Sequence, residues 1–580
     1  MSSRGRWALL ALAGAVCLDA RWMSTDDVEE LGALQIRAAA GAGAGRQELR
    51  SNRTSWVPEG RILSSESVSR PLKWHGVNYG NRFVPEDWME VPYKFFDIPG
   101  LTKYGSRFGL WDLSGPEAKQ HMLKWLDDTI REKDFEDMAA YGMDICRLPV
   151  GYWNFVTYPG DEGPEVPPGW DAVGERLKNL HRLASPEEYR PYLDRAFSYA
   201  KKHGIKILLD LHGLPGSQNG EIHSGAVIEE DGKNKGLFMS EANKQMALQT
   251  ISAMAEYVSA PERRDALFGV QVINEPHFHT DEGHAFLKSY YEQAVRRVRE
   301  FLPDPGWPVV LFEWTFDMHK WKDNAFPAES WGTIIFDAHL YHFPGDGEEW
   351  KGQSGLEAAK ESYSEDLQQL RSFTLDKGNP VIVGEYCLAA GAFSAEESAE
   401  LAQWLVDEFD FAASGSCLWT FDNQHTGWGM QQQAQIWGLD WSEITRKDRD
   451  PCVPGPHISL KAAAEESSFL SAREDGSVAV GGEDRFWEKW SPCYYKNDLG
   501  FEKVAFRSEA WGGWLSVTPD GQVRQAWTRS AWEEFSVPVL QESGQTQTIT
   551  ITSSGHGGSV ESRGHTAIAD PNVAWTVTAA

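Results

Sequence analysis

Between residues 73 and about 445, short uninterrupted apolar runs alternate with longer amphipathic stretches. The runs are Leu72–Val77, Met143–Leu148, Ile205–Leu211, Phe268–Ile273, Pro308–Phe312, Thr333–Phe336, Pro380–Val383 and Cys417–Phe421. A parallel strand covered on both faces reads this way, because neither face meets water. The stretches between them, such as Tyr192–His203, Lys244–Val258, Gly283–Phe301 and Ala395–Phe409, are helix-like. Eight strands with intervening helices over about 370 residues predict an α/β fold, a (β/α)8 TIM barrel with loop insertions, spanning 71–450. An open doubly wound sheet is the alternative. No glycine-rich dinucleotide fingerprint follows the first run, which weighs against it.

From about residue 456 the pattern changes to apolar–polar alternation with internal repeats. Phe469-Leu470-Ser471 recurs as Trp514-Leu515-Ser516, and Asp475-Gly476 as Asp520-Gly521, both 45 positions later. Trp487-Glu488-Lys489-Trp490 recurs at the same offset as Trp532-Glu533-Glu534-Phe535. A weaker third copy runs through Ser559-Val560-Glu561 and Ala574-Trp575-Thr576-Val577. Three copies of a short-stranded unit predict an all-β module over 456–580 whose units share one core. The pattern resembles the fascin-like β-trefoil. It is read as a carbohydrate-binding or linker module, with simple stabilisation of the barrel as the alternative.

The N-terminus reads differently again. Arg4 and Arg6 precede an apolar run of 12 residues, Trp7–Leu18, with Ala20 as a cleavage position, so 1–20 is expected to be a secretory signal peptide. Twelve residues are too few to span a bilayer as a helix. An uncleaved anchor is the alternative. Residues 21–70, with the Ala/Gly stretch Ala38–Gly45, are expected to be poorly ordered. The expected location is secreted, extracellular or cell-wall associated, with no membrane span. Asn52-Arg53-Thr54 then fits a glycosylation site.

Charge narrows the partners. Lys and Arg number 55 against 85 Asp and Glu, a formal net charge of −30. Nucleic acid demands a basic footprint, and none is visible, so no nucleic-acid partner is expected. The same balance disfavours an anionic membrane surface. The 26 Trp supply flat amphipathic rings, mostly for cores but some for a ligand surface. Without Cys17 five cysteines remain, an odd number and no disulfide framework. Cys146, Cys387 and Cys417 sit in apolar surroundings and read as buried hydrophobes, while Cys452 and Cys493 could form a bridge. No Cys/His spacing resembles a zinc site.

In such barrels the working residues stand at the C-terminal ends of the strands. That rule selects Asn78, Arg147, His212, Asn274-Glu275, His339, Tyr341, Glu385 and Trp419. Glu275 and Glu385, at the ends of strands 4 and 7, should face each other across the barrel mouth. Paired carboxylates are what glycoside hydrolysis requires: one protonates the leaving oxygen, the other attacks the anomeric carbon or activates water. Arg147 and Tyr341 can donate to the second carboxylate, Asn274 can bond a sugar 2-OH, and Trp419 can stack on a sugar face. His212 and His339 supply polar contacts. Each residue alone has a structural alternative. Glu275 before Pro276 suits a helix start, Glu385 and Arg147 suit a structural ion pair, and the histidines and Trp419 suit a packed core. Their coincidence at one end of one barrel favours the site.

The chain resembles glycoside hydrolase family 5, in clan A, and its exo-β-1,3-glucanase branch in particular. The likeness runs through Gly76-Val77-Asn78-Tyr79-Gly80, Arg147-Leu148-Pro149-Val150-Gly151-Tyr152-Trp153 and Asp210-Leu211-His212-Gly213-Leu214-Pro215-Gly216-Ser217-Gln218-Asn219-Gly220. It continues through Ile273-Asn274-Glu275-Pro276, Asp337-Ala338-His339-Leu340-Tyr341, Val383-Gly384-Glu385 and Trp419-Thr420-Phe421. The resemblance implies a retaining double displacement with Glu275 as acid/base and Glu385 as nucleophile. Arg147, His212, Asn274, His339, Tyr341 and Trp419 would build the −1 sugar subsite, Glu86 would contact the non-reducing-end sugar, and Phe155 would be half of an aromatic clamp at +1. Four positions depart from the family pattern. Arg82 stands where Trp is usual, Tyr386 where Trp is common, Asp422 where Lys is usual, and Phe343 lies one place before the second clamp aromatic. The expected function is a secreted glucan exo-1,3-β-glucosidase acting as a monomer on β-glucan or oligosaccharide, with no metal or organic cofactor. The alternatives are a sister activity (β-1,4-glucanase, mannanase or glycosylceramidase), transglycosylation, a non-catalytic glycan-binding protein, or a cytoskeletal binder.

Overall fold

The computed structural model describes residues 73–97, 109–313, 326–344 and 350–445, apart from 161, 279 and 378, together with short segments between 453 and 579. The signal region, the 21–70 segment, Asn52–Thr54 and Cys452 lie outside the described residues. Cys146, Cys387 and Cys417 are free and buried, and Cys493 is disulfide-bonded.

All eight apolar runs overlap a strand. They are β1 (Trp74–Asn78), β2 (Ile145–Gly151), β3 (Lys206–Gly213), β4 (Leu267–Gln271), β5 (Val309–Phe312), β6 (Ile334–Leu340), β7 (Val381–Tyr386) and β8 (Gly415–Leu418). They pair in parallel and in chain order, and β8 returns to β1, so the sheet closes into a barrel. With the helices that intervene, this is a (β/α)8 TIM barrel. A parallel crossover needs a dozen or more residues, which the helices supply.

The helices begin and end where backbone chemistry dictates. The helix α1 (Pro186–His203) opens with Pro186, whose missing N–H costs nothing there. Glu188 reaches back to accept from the Ser185 N–H at 2.9 Å. The helix closes with Lys201, Lys202 and His203 against its negative end and Gly204 at φ 77°, a conformation glycine adopts without penalty. The helix α2 (Ala395–Ala412) opens with a reciprocal pair: Ser394 N–H donates to Glu397 at 2.8 Å, and Glu397 N–H to the Ser394 hydroxyl at 3.2 Å.

Inside the barrel, period-two alternation builds layers. Trp74, Ile145, Leu208, Phe268, Val310, Ile335, Ile382 and Cys417 form one apolar floor, a residue from each strand. Two positions further along stand Arg147, Asp210, Asp337, Gly384 and Trp419. The site therefore rests on a layer of charge, and that layer rests on packed hydrocarbon.

A second compact unit follows Thr445. Its described strands pair antiparallel. Ile458–Ala462 pairs Lys489–Lys496, which pairs Glu502–Ser508, which pairs Phe535–Ser536. Phe535–Ser536 pairs Thr552–Ser553, Thr546–Ile549 pairs Trp575–Ala579, and Trp575–Ala579 returns to Ile458–Ala462. Three hairpins accompany these strands: Phe469–Ala472 with Val478–Gly481, Trp514–Val517 with Val523–Ala526, and Val560–Arg563 with Thr566–Ala569. The repeated aromatic of the sequence is buried in two copies, as Trp490 and Phe535. No helix among the described residues is long and apolar enough to cross a membrane.

Candidate active site

Arg147 is wholly buried on β2, which is tolerable only because carboxylates and amides surround it. Its guanidinium donates to Glu385 Oε1 at 2.7 Å, Asn274 Oδ1 at 2.7 Å, Asn78 Oδ1 at 2.8 Å and Gln271 Oε1 at 3.0 Å. Asp210 stands 3.1 Å and Asp337 3.7 Å away. The five donors of the guanidinium thus lock several strand ends to one another.

Glu385 lies one residue before the end of β7. Its other oxygen accepts from the Tyr341 hydroxyl at 2.7 Å. Gly384 beside it is a necessity: its N–H donates to Asp337 Oδ1 at 2.7 Å, and a Cβ there would stand 2.1 Å from that same oxygen. Burial raises the Glu385 carboxyl above its ordinary value, against the pull of His339 and Arg147.

Glu275 stands past the end of β4, with φ at 42°, a left-handed backbone that costs a non-glycine residue on the order of 1–3 kcal/mol. Its Oε1 is 2.6 Å from His339 Nδ1, and its Oε2 is 3.2 Å from His223 Nε2. His339 Nδ1 also lies 3.3 Å from Glu385, and its Nε2 lies 3.3 Å from Asp337. One carboxylate oxygen from each glutamate and one His339 nitrogen fall within 4.8 Å of one another. Burial pulls the His339 imidazole down, but Glu385 and Asp337 outweigh it and hold its pKa at about 10. Burial raises Glu275, and positive charge on a neighbouring histidine opposes that. The cluster is proton-sharing by construction, and the Arg147 guanidinium on its flank opposes an added cation.

The remaining predicted residues divide. His212 Nδ1–H donates to Asp210 Oδ2 (2.7 Å); the ring lies 3.5 Å from the Asn274 amide and stacks on Trp419 with ring centroids 5.6 Å apart and planes 10° apart. Trp419 packs with Trp88, Met89, Ile222, Cys387 and Trp428. Glu86 is buried, accepts from Trp88 Nε1 at 2.9 Å, and interacts with His212 and both glutamates; burial pushes its pKa up to about 7. Phe155 is not brought to this group. It is 8% exposed and packs edge-on against Tyr257 at 5.8 Å, just after the short helical turn Tyr152–Asn154. Phe343 lies parallel to Tyr341, 6.5 Å between centroids, and near Trp428.

Two departures from the family pattern prove to be one feature. Arg82 and Asp422 face each other, buried, with both Asp422 oxygens 2.9 Å from the same guanidinium nitrogen. Tyr386 instead packs edge-on against Phe409 of α2 at 5.0 Å.

Sequence reasoning passed over Asp210, Asp337, His223 and Asn219. The first two carried a readable signal: each sits two residues before a chosen histidine on the same strand, hence on the same face. His223 and Asn219 carried none beyond lying in or after the long motif that follows β3.

The family model for cellulase, glycosyl hydrolase family 5, matches residues 101–425. A glucan 1,3-beta-glucosidase of Schwanniomyces occidentalis is 27% identical over 294 residues, 48% of this chain and 61% of that protein. A probable glucan 1,3-beta-glucosidase A of Aspergillus terreus is 33% identical over 271 residues, 46% of this chain and 55% of that protein. This chain therefore spans little more than half the length of these curated relatives. The crystal structure of rutinosidase from Aspergillus niger is similar at 20% identity and a TM-score of 0.47, over 65% of this chain and 97% of that one. With the family model covering more than half its length, the chain belongs to glycosyl hydrolase family 5.

Proposed function

We propose that the chain is a retaining β-glucosidic hydrolase, a glucan exo-1,3-β-glucosidase in substrate. One observation carries the mechanism: carboxylate oxygens of Glu275 and Glu385 stand within 4.8 Å. Oxygens this close favour retention, which uses carboxyl groups about 5–5.5 Å apart, over inversion, which uses roughly 6.5–9.5 Å to admit a water.

Glu385, held by Arg147 and Tyr341, attacks the anomeric carbon. The glycosidic C–O bond breaks, and the Glu275 proton passes to the leaving oxygen. Glu275, now a carboxylate, takes a proton from water. That water attacks the anomeric carbon, the ester bond to Glu385 breaks, and the β-anomer leaves. In this reading Asn274, His212 and Glu86 bond sugar hydroxyls, and the Trp419 ring carries a sugar face. The β-1,3 linkage rests on the named relatives and the motif after β3. Secretion to the extracellular space or cell wall rests on the N-terminal pattern. The 456–580 module is read as a β-trefoil, supported by its antiparallel strand pairs and three hairpins, two of them related by the 45-residue offset.

Product analysis of laminari-oligosaccharide hydrolysis by NMR tests this function. Single glucose units released first as the β-anomer are expected; the α-anomer would overturn retention, and turnover confined to β-1,4-glucan or mannan would overturn the linkage.

A further inference from the structure

Glu275 lies between two histidines, one facing each oxygen. His339 Nδ1 is 2.6 Å from Oε1, and His223 Nε2 is 3.2 Å from Oε2. The tautomer of His223 is set by Asn219. The Asn219 side-chain oxygen accepts from the Glu221 N–H at 3.0 Å, and its nitrogen donates to the Glu275 carbonyl at 3.0 Å. Two backbone groups thereby fix which end of that amide is which. The same nitrogen is 2.6 Å from His223 Nε2, and an amide nitrogen only donates. Nε2 is therefore the lone-pair nitrogen, and His223 is neutral. Burial acts in the same direction and holds its pKa at about 3. What faces Glu275 Oε2 is a second acceptor, not a positive charge. Two acceptors at this distance repel unless the carboxyl is protonated.

His339, opposite, can sit on either side of the exchange. Its Nδ1–H can donate to a carboxylate. Alternatively its Nδ1 accepts from a carboxylic acid while Nε2–H points to Asp337, 3.3 Å away. One proton is shared across the 2.6 Å gap and belongs to the pair.

We propose, on the basis of the acid/base role of Glu275 above, that His223 is a positioning residue that biases this shared proton onto Glu275. The other groups facing Glu275 do not make that choice. Glu385 and Glu86 favour retention of the proton, Asp337 favours it on His339, and the Tyr341 hydroxyl is committed to Glu385. His277 lies on the segment of Glu275 itself, and His212 is bonded to Asp210. With His223 in place, the proton shared with His339 is shifted toward Glu275, from which it passes to the aglycone oxygen as the glycosidic bond breaks. The carboxylate left behind is the less favoured state beside that lone pair, which drives it to take the proton of the attacking water.

The test uses His223→Ala and His223→Gln in the full chain with two substrates. Laminaritriose needs its leaving oxygen protonated; 2,4-dinitrophenyl β-glucoside does not. For His223→Ala, kcat/KM on laminaritriose is expected to fall about 10–100-fold, with the dinitrophenyl glucoside within about threefold of wild type. The alkaline limb of the laminaritriose profile should move about one pH unit lower, because the protonated acid loses a favourable setting. His223→Gln, which offers Oε2 a donor, should lose at least as much. Equal losses on both substrates, or an alkaline limb that stays where wild type has it, would overturn the role. A wild-type chain that turns over neither substrate would instead overturn the hydrolase reading itself.

Discussion

Glu385 and Glu275 are the same side chain in two unlike settings. Glu385 sits within a regular strand, and both its oxygens are taken by donors, a guanidinium and a phenol. Glu275 sits beyond a strand in left-handed backbone, with one oxygen on an imidazole that can share a proton and the other on the lone-pair nitrogen of a neutral imidazole. The first setting aims an oxygen and keeps it available for bond formation. The second manages a proton. Donors that never titrate near neutrality suit a nucleophile, and groups that exchange protons suit an acid that must later serve as a base.

Glu385→Ala puts the greatest strain on that contrast. Loss of the nucleophile should lower kcat by about 10⁴-fold or more on every substrate, whatever its leaving group. Steady-state rates on laminaritriose and on the dinitrophenyl glucoside would show it; a variant that keeps activity on either would remove Glu385 from the role. Glu275→Ala should separate the substrates. Laminaritriose turnover should drop about 10²–10⁴-fold, while the first step on the dinitrophenyl glucoside is largely spared. A burst of dinitrophenol followed by slow turnover would report the missing base. Comparable losses in both phases would refute the division of labour.

The smallest expected effect on chemistry comes from Arg82 and Asp422, an ion pair buried as deeply as Arg147 with Glu385 but bonded to no site carboxylate. Breaking it with Arg82→Met leaves Asp422 unpaired and should cost about 3–5 kcal/mol of stability. Removing both charges, Arg82→Met with Asp422→Leu, should recover much of that. Urea denaturation measures both. If the double variant is no more stable than the single, the pair is not a self-contained unit.

Much of the barrel was legible because a strand buried on both faces writes its own signature. Each of the eight runs overlaps its strand, though the ends move. The β6 strand continues to Leu340, beyond the apolar run, since His339 and Asp337 are polar yet still point into the barrel. The two glutamates were legible because barrel topology turns a position at a strand end into a position in space. Asp210 and Asp337 were less so, since a buried carboxylate under a histidine has no pattern apart from the two-residue step. For Phe155 the motif match marked a place in the chain but carried no sign of its packing against Tyr257.

By itself the sequence determined the strand and helix periods, the order of the barrel, the repeat of the second unit and the identity of the paired acids, because these depend on local spacing. Tertiary structure alone decided that Arg82 meets Asp422 across 340 positions, that Asn219 fixes the tautomer of His223, and that His223 faces the acid. Those contacts join segments remote along the chain or loops without period. For the remote ones, only the folded barrel brings their polar atoms within bonding distance.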